Sequence, residues 1–148
     1  MRHRALLFAF ALASIVAGSM FNAAPAAAAR IIVTVTGLHS AQGGVYVGLY
    51  ATPSKFLNGT QVDAMRKVKA GTGRVTVVFD NLAPGTYAVG AYHDENNNDH
   101  MDTDFVGLPT EGYALSNGVR AVMSKPTFQQ AAFTIGAEDK PVALHIRY

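Results

Sequence analysis

Between residues 93 and 104 the chain reads HDENNNDHMDTD. Asp94, Asn96, Asn98 and Asp102 hold positions one, three, five and nine of a D-x-N-x-N-x-x-x-D frame. His100, at position seven, offers its main-chain carbonyl. This is the oxygen order of a calcium loop of the EF-hand kind. The spacing matters because a tight coil turns alternate side chains toward one point. A hard Ca²⁺ ion takes roughly six to eight oxygens at about 2.3–2.6 Å. Position six is Asp99 where such loops carry glycine; Asp and Asn tolerate left-handed backbone best after glycine. Position twelve is Phe105 rather than a bidentate glutamate, and Asp104 is its nearest substitute. The candidate ligands are Asp94, Asn96, Asn98, His100, Asp102 and Asp104, and calcium is the expected ion. Asp94, Glu95, Asp99, Asp102 and Asp104 put five carboxylates in eleven residues, which repel one another unless a cation neutralises them. The plainer reading is a solvated loop of Asx turns, its asparagines bonded to local backbone.

Other constellations are weaker. His93, His100 and a carboxylate would suit a transition metal, but their spacing matches no known frame. With His39 and His145 they read more simply as surface or strand-end residues. Ser116 lacks the G-x-S-x-G elbow of a hydrolase nucleophile. Asp94 and Glu111 would pair for sugar hydrolysis, and nothing separates them from the ion loop. Tyr46, Tyr50 and Tyr92 form an aromatic strip on one sheet face, open to a glycan or partner strand. Asn58-Gly59-Thr60 fits a glycosylation sequon and reads as a surface turn. The absence of cysteine excludes disulfides, thiolate zinc sites and a cysteine nucleophile. No phosphate loop or dinucleotide-type glycine motif is present.

The elements that must carry this loop are strands. Apolar and other residues alternate with period two over 31–36, 45–50, 74–79, 87–92, 133–135 and 142–147. A seventh strand is expected near 66–70. Such alternation marks strands with one face in a core and one in water. Gly43-Gly44, Gly71-Thr72-Gly73 and Ala83-Pro84-Gly85-Thr86 supply turns, the last with the pattern of type II. Pro53-Ser54 opens one helical turn carrying Phe56 and Leu57. The expected fold is all-β: a single antiparallel β-sandwich of about seven strands, immunoglobulin-like or transthyretin-like. A long irregular excursion, from Asp94 to about Gln130, precedes the last two strands. Its apolar content (Phe105, Val106, Leu108, Tyr113, Leu115, Val119, Val122, Met123, Phe128) argues that it packs across one end of the sandwich.

The first 29 residues read as a secretory leader: Arg2, His3 and Arg4, an apolar run from Ala5 to Val16, then small residues through Ala29. Cleavage after Ala29 fits best, with Ala27 and Ala28 as alternatives. The sandwich domain is then 30–148, periplasmic or secreted, with no membrane span once the leader is removed. Two of the 12 basic residues leave with the leader, and the remainder balances the 10 acidic ones. That balance argues against nucleic acid as a partner.

The run Asn81–Val89, the loop His93–Asn98, the segment Asp102–Asn117, Pro126-Thr127-Phe128 and Ala131-Ala132-Phe133 resemble the domain-of-unknown-function 2141 family of small exported bacterial proteins. The resemblance spans Ile31 to Tyr148 and implies a secreted or periplasmic β-sandwich without an established activity. Members often carry glycine where this chain has Asn97 and Asp99. The Pro-Gly-Tyr strand leading into an Asp/Asn loop is also similar to calcium-binding modules of bacterial surface adhesins. That similarity implies Asp94, Asn96, Asn98 and Asp102 as ligands. A remoter likeness to the transthyretin-like group implies a hydrolase ending Tyr-Arg-Gly-Ser; this chain ends His145-Ile146-Arg147-Tyr148.

The expectation is an exported binding or structural envelope module, not an enzyme, with a structural calcium loop at 94–104. Tyr113, Ser116 and Asn117 are its candidate surface for an unidentified ligand or envelope partner. The alternative is a periplasmic hydrolase of transthyretin-like type using His93 and a loop carboxylate.

Overall fold

Period-two alternation resolves into eight strands in a computed structural model, which describes residues 28–121 and 124–148. They are β1 (Ala29–Thr36), β2 (Gly44–Tyr50), β3 (Ala64–Lys69), β4 (Val75–Leu82), β5 (Gly85–Asp94), β6 (Tyr113–Leu115), β7 (Phe133–Ile135) and β8 (Lys140–His145). One sheet runs β4-β1-β8 and the other β3-β2-β5-β6, with β7 also paired to β5. The two sheets close over one core, so the chain is an all-β sandwich. Ile31, Val33, Val35, Phe79 and Leu144 face Val45, Val47, Leu49, Val89 and Ile135 across it. Among the described residues no helix is long and apolar enough to cross a membrane. Most of the expected leader, residues 1–27, lies outside the described residues, as do Val122 and Met123. Ala29, read as the last leader residue, is the first residue of β1, fully buried and opposite Leu82.

Three features depart from the sequence reading. First, the sandwich is not wholly antiparallel: β8 runs parallel to β1, from Ile31 opposite Lys140 to Thr36 opposite His145. Second, every residue of β2 is buried. The excursion covers the outer face of β2 and β5, rather than one end of the sandwich. There Tyr50 and Ala88 pack with Phe56, Leu115, Phe128 and Ala131. The expected aromatic strip lies on this face but is largely covered: Tyr46 stacks on Tyr92 at 4.8 Å, and Tyr46 and Tyr50 are buried. Third, Gly71, Gly73 and Gly85 do not take positive φ; the left-handed residue before β5 is Asn81 (φ 56°). Asn can take left-handed backbone at that point, whereas Gly43 does turn left-handed as its motif implies.

Two short segments hold the excursion in place. The helical turn Pro53–Lys55 leads into buried Phe56, which meets Phe128 edge to face at 5.9 Å. The single-turn helix α1 (Phe128–Ala131) starts at a capping box: the Thr127 side chain accepts from the Gln130 N–H, and the Gln130 side chain accepts from the Thr127 N–H.

Candidate functional site

The acidic loop leaves the end of β5 and returns into β6. Its base is clamped on one side by the His93 N–H, which donates to the Gly112 carbonyl at 2.9 Å. On the other side Gly43 lies against it with φ +71°; a β-carbon there would stand 1.9 Å from the Asp94 carbonyl oxygen. Only glycine permits that approach.

Inside the clamp, Asp94 is fully buried. Its carboxylate accepts the Asn98 N–H at 3.2 Å and the Asp99 N–H at 3.0 Å. The Asn96 side-chain oxygen accepts the same Asn98 N–H at 3.0 Å, and the Asn98 oxygen accepts the His100 N–H at 3.2 Å. The coil requires left-handed backbone at Asn97 (φ 57°) and Asp99 (φ 67°). Asx residues occupy these two positions at modest strain. The Asn96 and Asn98 amide nitrogens both donate to Asp102, at 2.7 and 2.8 Å. Asp94, Asn96, Asn98 and Asp102 therefore converge. The other candidates have partners outside this group, although the His100 Nε2 also lies 3.5 Å from the Asp102 carboxylate. The His100 imidazole is bonded through Nδ1 to the Asn98 carbonyl at 2.8 Å. Asp104 accepts the N–H groups of Val106 and Leu108, at 3.0 and 2.8 Å, and caps its own turn. Asp99 faces away toward Tyr46 and Lys67, the latter at 2.5 Å, and Lys67 holds its carboxyl below the usual aspartate range.

The convergent group gains a member that position counting missed. Glu111 reaches in from the returning arm, and its Oε2 accepts the Asp102 N–H at 3.1 Å. Its Oε1 is buried with no hydrogen-bond partner among the described residues. Burial, and then the charges of Asp102 and Asp94, push the Glu111 carboxyl above the ordinary glutamate range, against the Asp102 and Glu95 N–H groups, which lower it. Glu111 is the single charged residue between Phe105 and Val119, and that isolation was the signal available in the sequence. An orphaned carboxylate oxygen beside two further carboxylates is chemistry suited to a hard cation. Among the described residues no group of three or more His, Asp or Glu is already arranged to hold a metal ion. Coordination at this point needs the Asp94, Asp102 and Glu111 carboxylates to draw together and the Asn96 and Asn98 amides to turn their oxygens inward.

A second cluster lies at the same end. His93 is fully buried. Its Nε2 lies 2.7 Å from the Gln42 carbonyl, a pure acceptor, so Nε2 carries the proton. Its Nδ1 then accepts from the Tyr148 hydroxyl at 2.5 Å. Tyr148 stacks on His39 at 3.7 Å, and His39 and Ser40 bind Glu95 at 2.8 and 2.5 Å. The Ser40 hydroxyl, against the burial penalty, and the His39 ring hold the Glu95 carboxyl below its usual range. Both nitrogens of His93 are thus engaged by the protein, and neither is offered to a substrate as a general base.

The expected contact residues all carry bonds within the fold. Ser116 is buried; its hydroxyl accepts the Val89 N–H at 3.0 Å and donates to the Ala131 carbonyl at 2.6 Å. It ties β5 to α1. Asn117, left-handed at φ 60°, donates from its amide to the Gln130 and Ala132 carbonyls at 3.1 and 2.9 Å. The Tyr113 hydroxyl accepts the Ala121 N–H at 3.1 Å, and the Arg120 guanidinium lies 5.1 Å from the centre of its ring. All three hold the excursion onto the sheet.

Residues 33–143 match the model of a family described as uncharacterized proteins conserved in bacteria (DUF2141). No curated protein and no solved structure matches the chain.

Proposed function

Since the chain belongs to the DUF2141 family, we propose that it is an exported binding or structural module of the bacterial envelope whose loop, residues 94–111, takes a calcium ion. The observation that carries the ion is Glu111 Oε1, an orphaned acceptor among Asp94 and Asp102. The ligands would be Asp94, Asn96, Asn98, Asp102 and Glu111, with the His100 carbonyl. Calcium would supply charge neutralisation and fix both arms of the loop together, one from β5 and one entering β6. The chain's own residues do the rest: Gly43 admits the loop base, and the left-handed Asn97 and Asp99 hold its coil. Oxygen-only ligands and a flexible loop favour Ca²⁺ over the smaller, stricter Mg²⁺.

The experiment is thermal unfolding in EDTA, then with millimolar Ca²⁺, Mg²⁺ or Zn²⁺. A calcium-selective rise in Tm is expected. A zinc-only rise would point back to the histidines, and no shift with any ion would refute the cation reading.

A further inference from the structure

The outer part of the same loop is a stiff hairpin. Thr103 bridges Pro109, the Asp104 N–H donates to the Leu108 carbonyl at 2.8 Å, and the Gly107 N–H donates to the Asp104 carbonyl at 3.0 Å. The Asp104 carboxylate caps the tip from within. On this hairpin Phe105 is 99% exposed, Val106 61% and Leu108 54%. A rigid turn that holds three large apolar side chains in water is a contact point awaiting a surface. Its flanks are acidic. From Val75 to Val119 the sequence contains no Lys or Arg. Asp104 sits at the tip itself, and Asp102 and Glu111 lie at the base of the hairpin.

The complementary surface is on the same molecule. A cleft of about 140 Å³ opens between β8 and the turn that follows β6. Its apolar lining is Ala114, Leu115, Val119 and Ala143, and its basic side chains are Arg120, His145 and Arg147, with no carboxylate among them. Among the described residues neither arginine has an ion-pair partner. A cavity of about 150 Å³ accommodates a benzene ring. One chain therefore carries a phenyl knob flanked by acids and a phenyl-sized hole flanked by bases. The hairpin is closed on itself by its own bonds, and Phe105 is not among the residues that line the cleft. The charge match and the aromatic anchor are the features that specify contacts between proteins.

We propose that Phe105 of one copy seats in the Arg120–Arg147 cleft of a second copy, so that the chain associates with itself. The contact rests on the Asp104 cap rather than on a bound ion, so it stands or falls apart from the calcium reading. Sedimentation velocity of the purified protein in EDTA, from micromolar to millimolar concentration, reads it directly. The average mass should rise with concentration and fall back when salt is added. Phe105→Ser, which removes the knob, and the pair Arg120→Glu with Arg147→Glu, which spoils the hole, should each weaken association about tenfold or more. Circular dichroism should show both still folded, since Phe105 is exposed and the arginines lie outside the core, Arg120 resting on the Tyr113 ring. Mixed one to one, the two variants should restore a dimer, because each supplies the half that the other lacks. A chain that stays monomeric throughout overturns the proposal. So does a monomer that floats with lipid vesicles through Phe105, or one whose cleft takes up benzoate without self-association. Association that persists in Phe105→Ser overturns it as well.

Discussion

Replacing Glu111 by Gln should move stability in opposite directions without and with calcium. In the free protein, the Glu111 carboxylate is held beside Asp94 and Asp102 with one oxygen unpaired. An unsatisfied buried acceptor costs about 1–3 kcal/mol, and the partial exposure of Glu111 places this one near the lower end. The amide oxygen of Gln keeps the bond to the Asp102 N–H, and its NH₂ replaces the orphaned oxygen with a donor facing two acids. The variant should therefore gain about 1 kcal/mol in EDTA at pH 7, or roughly 4 °C in Tm for a domain of this size. The sign with pH follows from the direction of the shift. A carboxyl raised in the folded state penalises folding only where it is ionised. The gain should thus be full at pH 7 and shrink as pH falls through the raised value toward the ordinary glutamate range. Calcium reverses the order. For a Kd of about 10⁻³ M, as in weak extracellular sites, calcium at ten times Kd should stabilise the wild type by about 1.4 kcal/mol. Loss of the carboxylate should remove most of that rise. Differential scanning fluorimetry of both proteins, with EDTA and with about 10 mM Ca²⁺, should show two melting curves that change places. A variant less stable than wild type in EDTA, or one that keeps the full calcium rise, would refute the assignment of Glu111.

Burial pushes the Asp63 carboxyl up, but Lys55 at 2.6 Å, the Ala51 and Thr52 N–H groups and the Thr52 hydroxyl outweigh it and hold the pKa at about 2. Asp63→Asn should cost about 1–2 kcal/mol at pH 7, after allowance for solvent screening. The stabilisation by Asp63 is complete above about pH 4 and disappears as pH falls through about 2, so urea titrations at both ends check it. Ser116→Ala should cost about 2–4 kcal/mol by leaving the Val89 N–H and the Ala131 carbonyl unpaired in the interior, measured by urea denaturation. Leader removal should retain Ala29, since that residue is fully buried in β1. Cleavage after Ala28 meets this requirement, and the intact mass of the exported protein should begin at Ala29 or upstream.

The strands were legible because each side of the core repeats with period two, and β1, β4 and β8 follow that pattern closely. β2 and β5 carry the same alternation, yet lie under cover on both faces. Nothing local to Tyr46 or Tyr50 announces that Phe128 and Leu115 arrive from far along the chain. The parallel course of β8 was equally invisible, since strand direction is set by connections rather than by side chains. In the loop, the Asp/Asn spacing identified the four residues that converge, Asp94, Asn96, Asn98 and Asp102. Asp104, the nearest substitute for the missing glutamate at position twelve, turns into the hairpin tip through its two backbone acceptor bonds. Glu111 is the reverse case: outside the spacing, but delivered by the pairing of His93 with Gly112. Ser116 and Asn117 read as contact residues because small polar side chains in a loop resemble a binding surface; the burial of Ser116 and the backbone partners of both come from far along the chain.

The position of β1 bears on how the chain must acquire its structure. β1 is the central strand of its sheet, yet one of its two neighbours, β8, is among the last segments to be made. Arg30 at its start is bonded to Asp139 across 109 residues of sequence. A growing chain therefore holds an unfinished sheet, with Ile31, Val33 and Val35 lacking Val142 and Leu144, until nearly all of it has been synthesised. Closing so long a loop is slow compared with local hairpin formation. The native state should consequently form only after chain completion, which is compatible with the export proposed above.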